Sequence, residues 1–204
     1  MKKSIEHAKE LHFEKTLKLE DIPDLDLYMD QVIQLFDKTY SQNKRNEEEK
    51  ILTKTMINNY AKGKILPPIT NKKYSKNHLI LMNFIYELKG SLSLTDIKQT
   101  LGAWKQKAEE GNSTLDESYN TYLKLHSENV EYFYGELQEI EAKIEDVVKR
   151  VDTLDNAQLQ QTMLILSYIH MSNLYRKTAE KLIDELAFET QEEENIKNKK
   201  GEKS

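Results

Sequence analysis

The sequence predicts a mainly α-helical protein in which a compact N-terminal domain with one small β element precedes a long helical extension. Composition is the first reason, because only six glycines and three prolines occur in 204 residues and 32% of the residues are charged, as is typical of helices. The second reason is that apolar residues recur at helical spacing along most of the chain. The third is the length, which is large for one small module.

The composition also excludes several classes of protein. The chain has no cysteine, which excludes disulfides and thiolate metal sites and is compatible with a reducing compartment. The first residues are basic but are not followed by an apolar run, so they do not form a signal peptide. The most apolar stretch, residues 163–166, is far too short to span a membrane. We therefore expect a soluble, cytoplasmic protein with no membrane partner.

The chain begins with a polar segment and a first helix. Residues 1–20, the N-terminal arm, are polar and have little periodic pattern. An extended arm and a frayed helix fit this segment equally well. Pro23 and Asp24 then begin a helix whose apolar residues follow the i, i+3, i+4, i+7 rule as far as Tyr40. The polar residues 41–50 are predicted to be a loop.

A short second helix is predicted from Thr53, a good N-cap, to about Lys62. One of its faces is apolar, and the opposite face carries short polar and basic side chains. Gly63 ends the helix, and the proline pair that follows forces extended backbone, so that residues 67–74 are predicted to form a small β wing. This order of helix, turn, proline pair and basic loop is that of a winged helix-turn-helix.

Two further helices complete this domain, which we place at residues 21–108. Ser75 caps a third helix. A variant capping box, Ser93-Leu94-Thr95-Asp96, begins a fourth helix, which is predicted to run to Trp104. The composition changes sharply after residues 109–113, and this segment is therefore the predicted domain boundary.

A long helix is predicted after a capping box at residues 114–117. Its apolar residues alternate steps of four and three, which is the spacing of a coiled-coil seam: Tyr119, Leu123, His126, Val130, Phe133, Leu137, Ile140, Ile144, Val147, Val151 and Leu154. After a turn at residues 152–156, a second helix from about residue 157 to 188 is apolar on more than one face, so other helices must cover it.

These two helices predict a helical hairpin or coiled-coil region at residues 114–190. We expect it to pair with a second copy of the chain, so that the protein is a homodimer. The alternative is that the seam packs only against the following helix of the same chain. Residues 191–204 are polar and are predicted to be a disordered tail. The predicted dimerisation residues are Phe133, Leu137, Ile140, Ile144, Val147 and Val151.

Charge is distributed unevenly along the chain. The net charge is −5, yet residues 50–86 contain seven lysines and no acidic residue, which gives them +7 and leaves the rest at −12. Residues 115–194 carry eighteen acidic and seven basic side chains, a net charge of −11 that is unsuited to DNA. A basic patch on an acidic protein is typical of polyanion binding, although a solvated lysine face without a partner is the simpler alternative.

Three segments resemble the MerR-type winged helix domain. Residues 55–68, which end in the proline pair, resemble the recognition helix of that family and its exit into the wing. Tyr74-Ser75-Lys76-Asn77-His78-Leu79 is similar to the Tyr-Ser-x-x-x-Leu entry into its third helix, and residues 90–97 resemble the segment leading into its fourth. Residues 22–101 also resemble a Firmicute family described only as a domain of unknown function and suspected of being a MerR-like regulator.

The resemblance implies a winged helix-turn-helix that binds double-stranded DNA and regulates transcription. Three features depart from it. The first helix, residues 24–40, is separated from the second by a loop that is longer than a normal helix-turn-helix turn. The glycine that usually ends the recognition helix is replaced by Lys64, with Gly63 one position early. Asn58-Asn59-Tyr60 stands where the family typically has Arg-Tyr-Tyr, so the base preference of the family does not transfer.

The recognition helix needs polar groups that reach base edges and cations that hold the DNA backbone. Asn58 or Asn59 could make bidentate contacts with adenine, or could instead bond phosphate or solvent. Tyr60 could be a buried core ring or could contact a phosphate through its hydroxyl. The predicted DNA-binding residues are Thr53, Lys54, Thr55, Asn58, Asn59, Lys62, Lys64, Lys72, Lys73 and Lys76.

Other sites are less well supported. His126 on the seam could be a protonation switch, but a core histidine is the commoner case. Since MerR relatives sense ligands in their C-terminal part, aromatic residues could line an effector pocket, although such stripes are more often core: Trp104, Tyr119, Tyr122, Tyr132, Phe133, Tyr134, Tyr168 and Tyr175. No metal-ligand cluster, phosphate loop or nucleophile elbow is found. We expect no metal, no cofactor and no enzymatic activity.

The sequence therefore favours a homodimeric transcription regulator that binds specific double-stranded DNA. Residues 53–63 would enter the major groove and the wing, residues 67–74, would contact the flanking backbone. One alternative is a helical adaptor or assembly protein that acts through its C-terminal hairpin. A second is an architectural DNA-binding protein of the phage excisionase type.

Overall fold

A computed structural model describes residues 3–110, 115–151 and 156–201, with side chains as far as Phe188. The described residues are mainly helical and form eight α-helices and one two-stranded antiparallel sheet. The elements are α1 (Ser4–Glu10), β1 (Leu27–Tyr28), α2 (Met29–Tyr40), α3 (Lys54–Lys62), β2 (Lys73–Tyr74), α4 (Lys76–Leu88), α5 (Leu94–Thr100), α6 (Gly102–Glu109), α7 (Asp116–Lys149) and α8 (Asn156–Gly201). No described helix combines the length and the apolar character needed to cross a bilayer.

The first predicted helix begins five residues later than the sequence indicates. Leu27 and Tyr28 are extended and pair with β2, so α2 starts at Met29. The side chain of Gln31 accepts a hydrogen bond from the backbone N–H of Tyr28 at 2.8 Å and caps the helix. The periodic pattern that began at Leu25 therefore includes a strand, and Leu25 itself is exposed.

The wing differs from a simple hairpin within residues 67–74. Its strand β2 pairs with β1, in the register Leu27 opposite Tyr74 and Tyr28 opposite Lys73. The tip is a tight turn in which the backbone N–H of Lys73 donates to the carbonyl of Thr70 at 3.0 Å. Asn71 and Lys72 have φ values of 52° and 59°, which is the backbone of a type I′ turn.

The fourth predicted helix is two helices. Its capping box is confirmed, because Ser93 Oγ accepts from the N–H of Asp96 while the Asp96 carboxylate accepts from the N–H of Ser93, both at 3.2 Å. The chain leaves helical geometry at Leu101, with φ −94° and ψ 2°, and re-enters it as α6. The predicted boundary at residues 109–113 lies largely outside the described residues, which stop at 110 and resume at 115.

The core of the N-terminal domain includes residues from both sides of that boundary. Phe36, Ile57 and Leu79 are fully buried in it together with Leu17 and Tyr119. The hydroxyl of Tyr119 donates to the backbone carbonyl of Leu17. The first turns of α7 therefore pack on the same core as the segment that precedes α2.

Helices α7 and α8 form the predicted hairpin within one chain. The hydroxyl of Tyr175 donates to the Glu136 carboxylate at 3.3 Å, while Val147 lies beside Met163, so the two helices are antiparallel. The predicted capping residue Thr114 and residues 152–155 of the predicted turn at 152–156 lie outside the described residues.

Helix α8 continues to Gly201, through a segment that the sequence predicts to be a disordered tail. Six of residues 191–200 are Glu or Lys, which are strong helix formers. Since these residues follow a helix already formed, each adds a helical hydrogen bond without a new nucleation step. The last three residues of the predicted tail lie outside the described part of the chain.

Candidate nucleic-acid interface

Helix α3 is held in the domain by one face and exposes the other. Ile57 and Tyr60 are buried, with exposed fractions of 0% and 4%, and burial raises the pKa of the Tyr60 hydroxyl. Of the two alternatives for Tyr60, the structure therefore favours the core ring. The exposed face consists of the predicted DNA-binding residues Lys54, Thr55, Asn58, Asn59 and Lys62.

The N-terminus of α3 is capped as the sequence predicts. Thr53 has extended backbone, and its hydroxyl accepts a hydrogen bond from the N–H of Met56 at 3.2 Å. The first bond between backbone groups runs from the N–H of Ile57 to the carbonyl of Thr53 at 3.0 Å. Thr53 is thus a structural cap, which orients the exposed residues that follow it.

Lys64 occupies the position at the end of α3 that usually belongs to glycine. Its N–H bonds the carbonyl of Ala61, and the N–H of Ile65 bonds the carbonyl of Tyr60, each at 3.0 Å. These two bonds are the Schellman motif. Lys64 has a φ of 56°, a left-handed conformation that is unfavourable for a residue with a Cβ. Its side chain is exposed.

The wing tip presents two further lysines. Lys72 is exposed and has a left-handed backbone in the type I′ turn. The ammonium of Lys73 lies 5.4 Å from the centre of the Tyr28 ring, within the range of a cation–π contact. Tyr28, on the neighbouring strand, is 54% exposed. The β1–β2 pairing therefore adds an aromatic side chain to the wing, which the sequence pattern does not reveal.

Two of the predicted lysines are paired with carboxylates. Lys54 Nζ lies 2.7 Å from Asp30 Oδ1, and both side chains are exposed. Lys76 Nζ lies 2.8 Å from Asp116 Oδ2, and both side chains are about two-thirds covered. Lys76 joins the start of α4 to the start of α7, which makes it a structural residue in this state. Among the described residues, Lys62, Lys64 and Lys72 have no ion-pair partner.

A buried histidine, absent from the predicted site, fixes the exit of the wing. His78 Nε2 lies 3.2 Å from the carbonyl of Pro67, and its Nδ1 lies 3.2 Å from the N–H of Ser75. Burial lowers the pKa of His78, opposed by the Pro67 hydrogen bond and by Asp26. The sequence signal is the spacing Ser75-x-x-His78, because a capping box normally has Glu or Gln at that place.

The predicted dimerisation residues divide into two groups. Phe133 packs edge-on against Phe13 with ring centres 5.6 Å apart, and Leu137 and Ile140 face α8 of the same chain. Val147 and Val151 are exposed, with 60% and 42% of their surface accessible. Ile144 lines a shallow groove beside Val147. Only part of the seam is therefore available to a second chain in this state.

The aromatic residues considered for an effector pocket fall into a group that belongs to the core, a group that lines a cavity, and two that do neither. Trp104, Tyr119 and Tyr122 pack around Phe84, with ring centres 4.5 to 5.4 Å from it. They belong to the core. Phe133, Tyr168 and Tyr175, in contrast, line a cavity between the hairpin and the N-terminal domain. Tyr132 is exposed, and Tyr134 is half-buried.

The remaining candidates from the sequence are His126 on the seam and a possible metal site. His126 lies against the Tyr122 ring, with ring centres 5.9 Å apart, and burial lowers its pKa. Within the described ranges, no three His, Asp or Glu side chains are close enough to hold a metal ion.

One comparison with known proteins gives a match. A family model described as "Domain of unknown function (DUF1836)" matches residues 17–122, from the buried Leu17 to Tyr122 in the aromatic cluster. No curated protein and no solved structure matches the chain significantly.

Proposed function

This chain belongs to the DUF1836 family, and we propose that it is a cytoplasmic, non-enzymatic regulator of transcription that binds double-stranded DNA as a homodimer. In this proposal the domain is a MerR-like winged helix-turn-helix. Helix α3 enters the major groove, and the wing tip contacts the flanking phosphates.

The observation that carries the proposal is the placement of lysines on unfavourable backbone. Of the four described non-glycine residues with positive φ, three lie in the basic window: Lys64, Asn71 and Lys72. Asparagine tolerates this region at position 71, and glycine would adopt it without steric cost, whereas a lysine costs about 1 kcal/mol at each of positions 64 and 72. Strained positions persist where function needs the side chain. A lysine at such a position supplies a cation, and phosphate is the ligand that a group of exposed cations suits best.

The exposed face of α3 supports base contacts between these cations. Asn58 and Asn59 are exposed next to Lys62, and their amides present the donor and acceptor pair that adenine matches in the major groove. Lys62 and Lys64 lie at the C-terminal end of α3, and Lys72 lies at the wing tip. These lysines would hold the backbone on either side of the helix, which fixes its register.

The C-terminal hairpin supports the homodimer. The described part of α8 exposes many large apolar side chains, and a protein in water seldom leaves such a surface uncovered. A two-fold pairing would bury it and would present two α3 helices to the two halves of a palindromic site. The exposed apolar residues of α8 are Met163, Ile165, Leu166, Ile169, Leu174, Tyr175, Leu182, Leu186 and Phe188.

The test is selection of binding sites from a random double-stranded DNA library by the full chain, followed by a salt titration. We expect an enriched motif with two-fold symmetry and a log–log salt slope of about −0.9 for each phosphate contacted. The double variant Lys62→Ala, Lys72→Ala should lose this binding, while Lys124→Ala, Lys177→Ala, which removes two exposed lysines outside the window, should keep it. Absence of both a motif and a salt-dependent affinity would overturn the proposal.

A second candidate is a helical adaptor, which the same exposed apolar residues of α8 favour. In that case the hairpin binds another protein, and the contact is largely insensitive to salt. The two candidates separate on the lysine double variant, because an adaptor retains its partner when Lys62 and Lys72 are replaced. A DNA-binding regulator loses its function with the same change.

A further inference from the structure

A large cavity lies between the C-terminal hairpin and the N-terminal domain. Its volume is about 770 Å³, its walls are mostly apolar, and it is bounded by α1, the end of α4, α7 and α8. On α8 its lining runs from Gln161 to Ala179, which is about 27 Å of helix at 1.5 Å per residue. The volume is within the range of small-molecule sites, and the shape suits an elongated molecule.

One carboxyl group faces this apolar space without a partner. Glu87, at the end of α4, lines the cavity, and no described residue forms a hydrogen bond or an ion pair with its side chain. The Glu87 side chain is exposed at the wall of the cavity, and desolvation by the protein around it raises its pKa to about 7. A carboxylate in such a place favours a ligand that brings its own positive charge.

The other charged groups of the lining do not supply that charge. Arg176 is paired with Glu180, its neighbour on α8. His7 lies 3.9 Å from Glu10 on α1. Glu136 accepts a hydrogen bond from Tyr175 and adds a second carboxylate to the wall. The balance of free charge in the cavity is therefore negative, which disfavours an acidic ligand such as a fatty acid.

We propose that this cavity binds a chain-shaped amphiphile with one positive group, the apolar chain lying along α8 and the cation pairing with Glu87. The apolar chain displaces water from walls that cannot hydrogen-bond it, which is the main source of affinity. The ammonium gives Glu87 the partner that the protein does not provide. None of its residues belongs to α3 or to the wing, but Ile165 and Tyr175 also lie on the exposed apolar face of α8 that the proposed homodimer would cover.

The test uses three probes with the same ten-carbon chain, namely decylammonium, decanol and decanoate, each kept below its micelle concentration. Calorimetric titration of the full chain at pH 8 should give the tightest binding for decylammonium, by about tenfold over decanol, and the weakest for decanoate. In the Glu87→Gln variant, decylammonium should bind no more tightly than decanol. The matched control Glu128→Gln, which removes an exposed carboxylate of α7, should bind all three probes as the unchanged chain does.

A second variant separates the cavity from the general surface. Ser172→Trp places a large ring in the lining and should abolish binding of all three probes. If Glu87→Gln does not fold, the comparison is made on the unchanged chain at pH 5.5, where protonation of Glu87 should remove the preference for decylammonium over decanol. His7, Arg176 and Glu136 also line the cavity, so the measurement is repeated with His7→Gln. The proposal is wrong if decanoate binds as tightly as decylammonium, or if Ser172→Trp retains binding.

Discussion

Lys54 Nζ lies 2.7 Å from Asp30 Oδ1, so an ion pair joins the first turn of α3 to the first turn of α2. Both side chains are more than 60% exposed, and such surface pairs contribute less than about 1 kcal/mol to stability. The Asp30 carboxylate therefore matters less for the stability that its ion pair adds than for the negative charge it places at the proposed DNA interface. Its negative charge lies beside the first residue of α3, the proposed recognition helix.

Asp30→Asn should therefore strengthen DNA binding by about two- to fivefold at low salt, because it frees Lys54 and removes one negative charge from the interface. The free energy of unfolding should change little. Fluorescence anisotropy on labelled DNA measures the affinity, and Asp37→Asn, on the same helix, is the control. An unchanged or weaker affinity would place Asp30 away from the DNA.

Asn58→Ala and Lys72→Ala should weaken DNA binding in different ways. Removal of an amide that contacts a base should cost about 1–3 kcal/mol on the preferred site and relax the sequence choice. Removal of a phosphate contact should weaken all sequences about equally and reduce the salt slope by about one contact. Affinities for the selected motif and for a shuffled sequence, compared between the two variants, distinguish these effects. If Asn58→Ala lowers the affinity for the selected motif and for the shuffled sequence equally, Asn58 does not recognise a base.

Lys64→Gly should stabilise the domain and weaken DNA binding at the same time. Glycine relieves the left-handed backbone at φ 56° and should raise the free energy of unfolding by about 1 kcal/mol. Lys64→Ala removes the same charge but keeps the strain, so it serves as the matched control. Urea unfolding should separate the two variants, whereas DNA titration should not. If Lys64→Gly binds DNA as tightly as the unchanged chain, the lysine has another role.

The local signals around α3 were sufficient to predict its cap, its buried face and its exposed face. Thr53 bonds the N–H of Met56 as a cap residue should, and Ile57 and Tyr60 fall on one side at helical spacing. These features depend only on residues within a few positions of each other. The pairing of Tyr28 with Lys73 joins residues 45 positions apart, and no local pattern specifies such a contact.

The hairpin shows a second limit of the sequence pattern. The seam predicts Val147 on the inner face, but Val148 is buried instead and Val147 is exposed. A straight helix has 3.6 residues per turn, so a repeat of 3.5 drifts around it along the length of α7. Glu87 shows a third limit, since it resembles a solvated residue at the end of a helix. Only the docking of α7 and α8 places it in the wall of a cavity.

Stability near the wing should depend on pH through His78. Its neutral ring donates from Nε2 to Pro67 and accepts at Nδ1 from Ser75, and a second proton on Nδ1 would oppose the Ser75 donor. Burial lowers its pKa below the ordinary 6.5, so the unfolded chain binds more protons than the folded chain in the interval between the two values. Stability is therefore complete above about pH 6.5 and declines as the pH falls below it.

The measurement is the urea midpoint of unfolding between about pH 5 and pH 7.5. His78→Gln should lose part of this pH dependence, because glutamine accepts the Ser75 hydrogen bond without titrating. His170→Gln, which removes an exposed histidine of α8, is the control. A His78 ring that titrates by NMR at or above pH 6.5 in the folded protein would contradict the prediction.

The exposed side of the hairpin is where we expect two chains to meet. Leu166 is 56% exposed on α8 and lies beside Met163 in the groove that Val147 also lines. If this surface joins two chains, Leu166→Glu should place a carboxylate in an apolar contact and should dissociate the dimer. Light scattering should then report a monomer.

Dissociation has a further consequence for DNA binding. The monomer should lose affinity for a two-fold-symmetric site, because one α3 helix can no longer position the other. It should keep its weaker affinity for a half-site, since Leu166 lies far along the sequence from the wing and α3. Gln138→Glu introduces the same charge at an exposed position of α7 and should leave the dimer intact. A dimer that survives Leu166→Glu, with unchanged affinity for the full site, would move the contact between chains away from this part of α8.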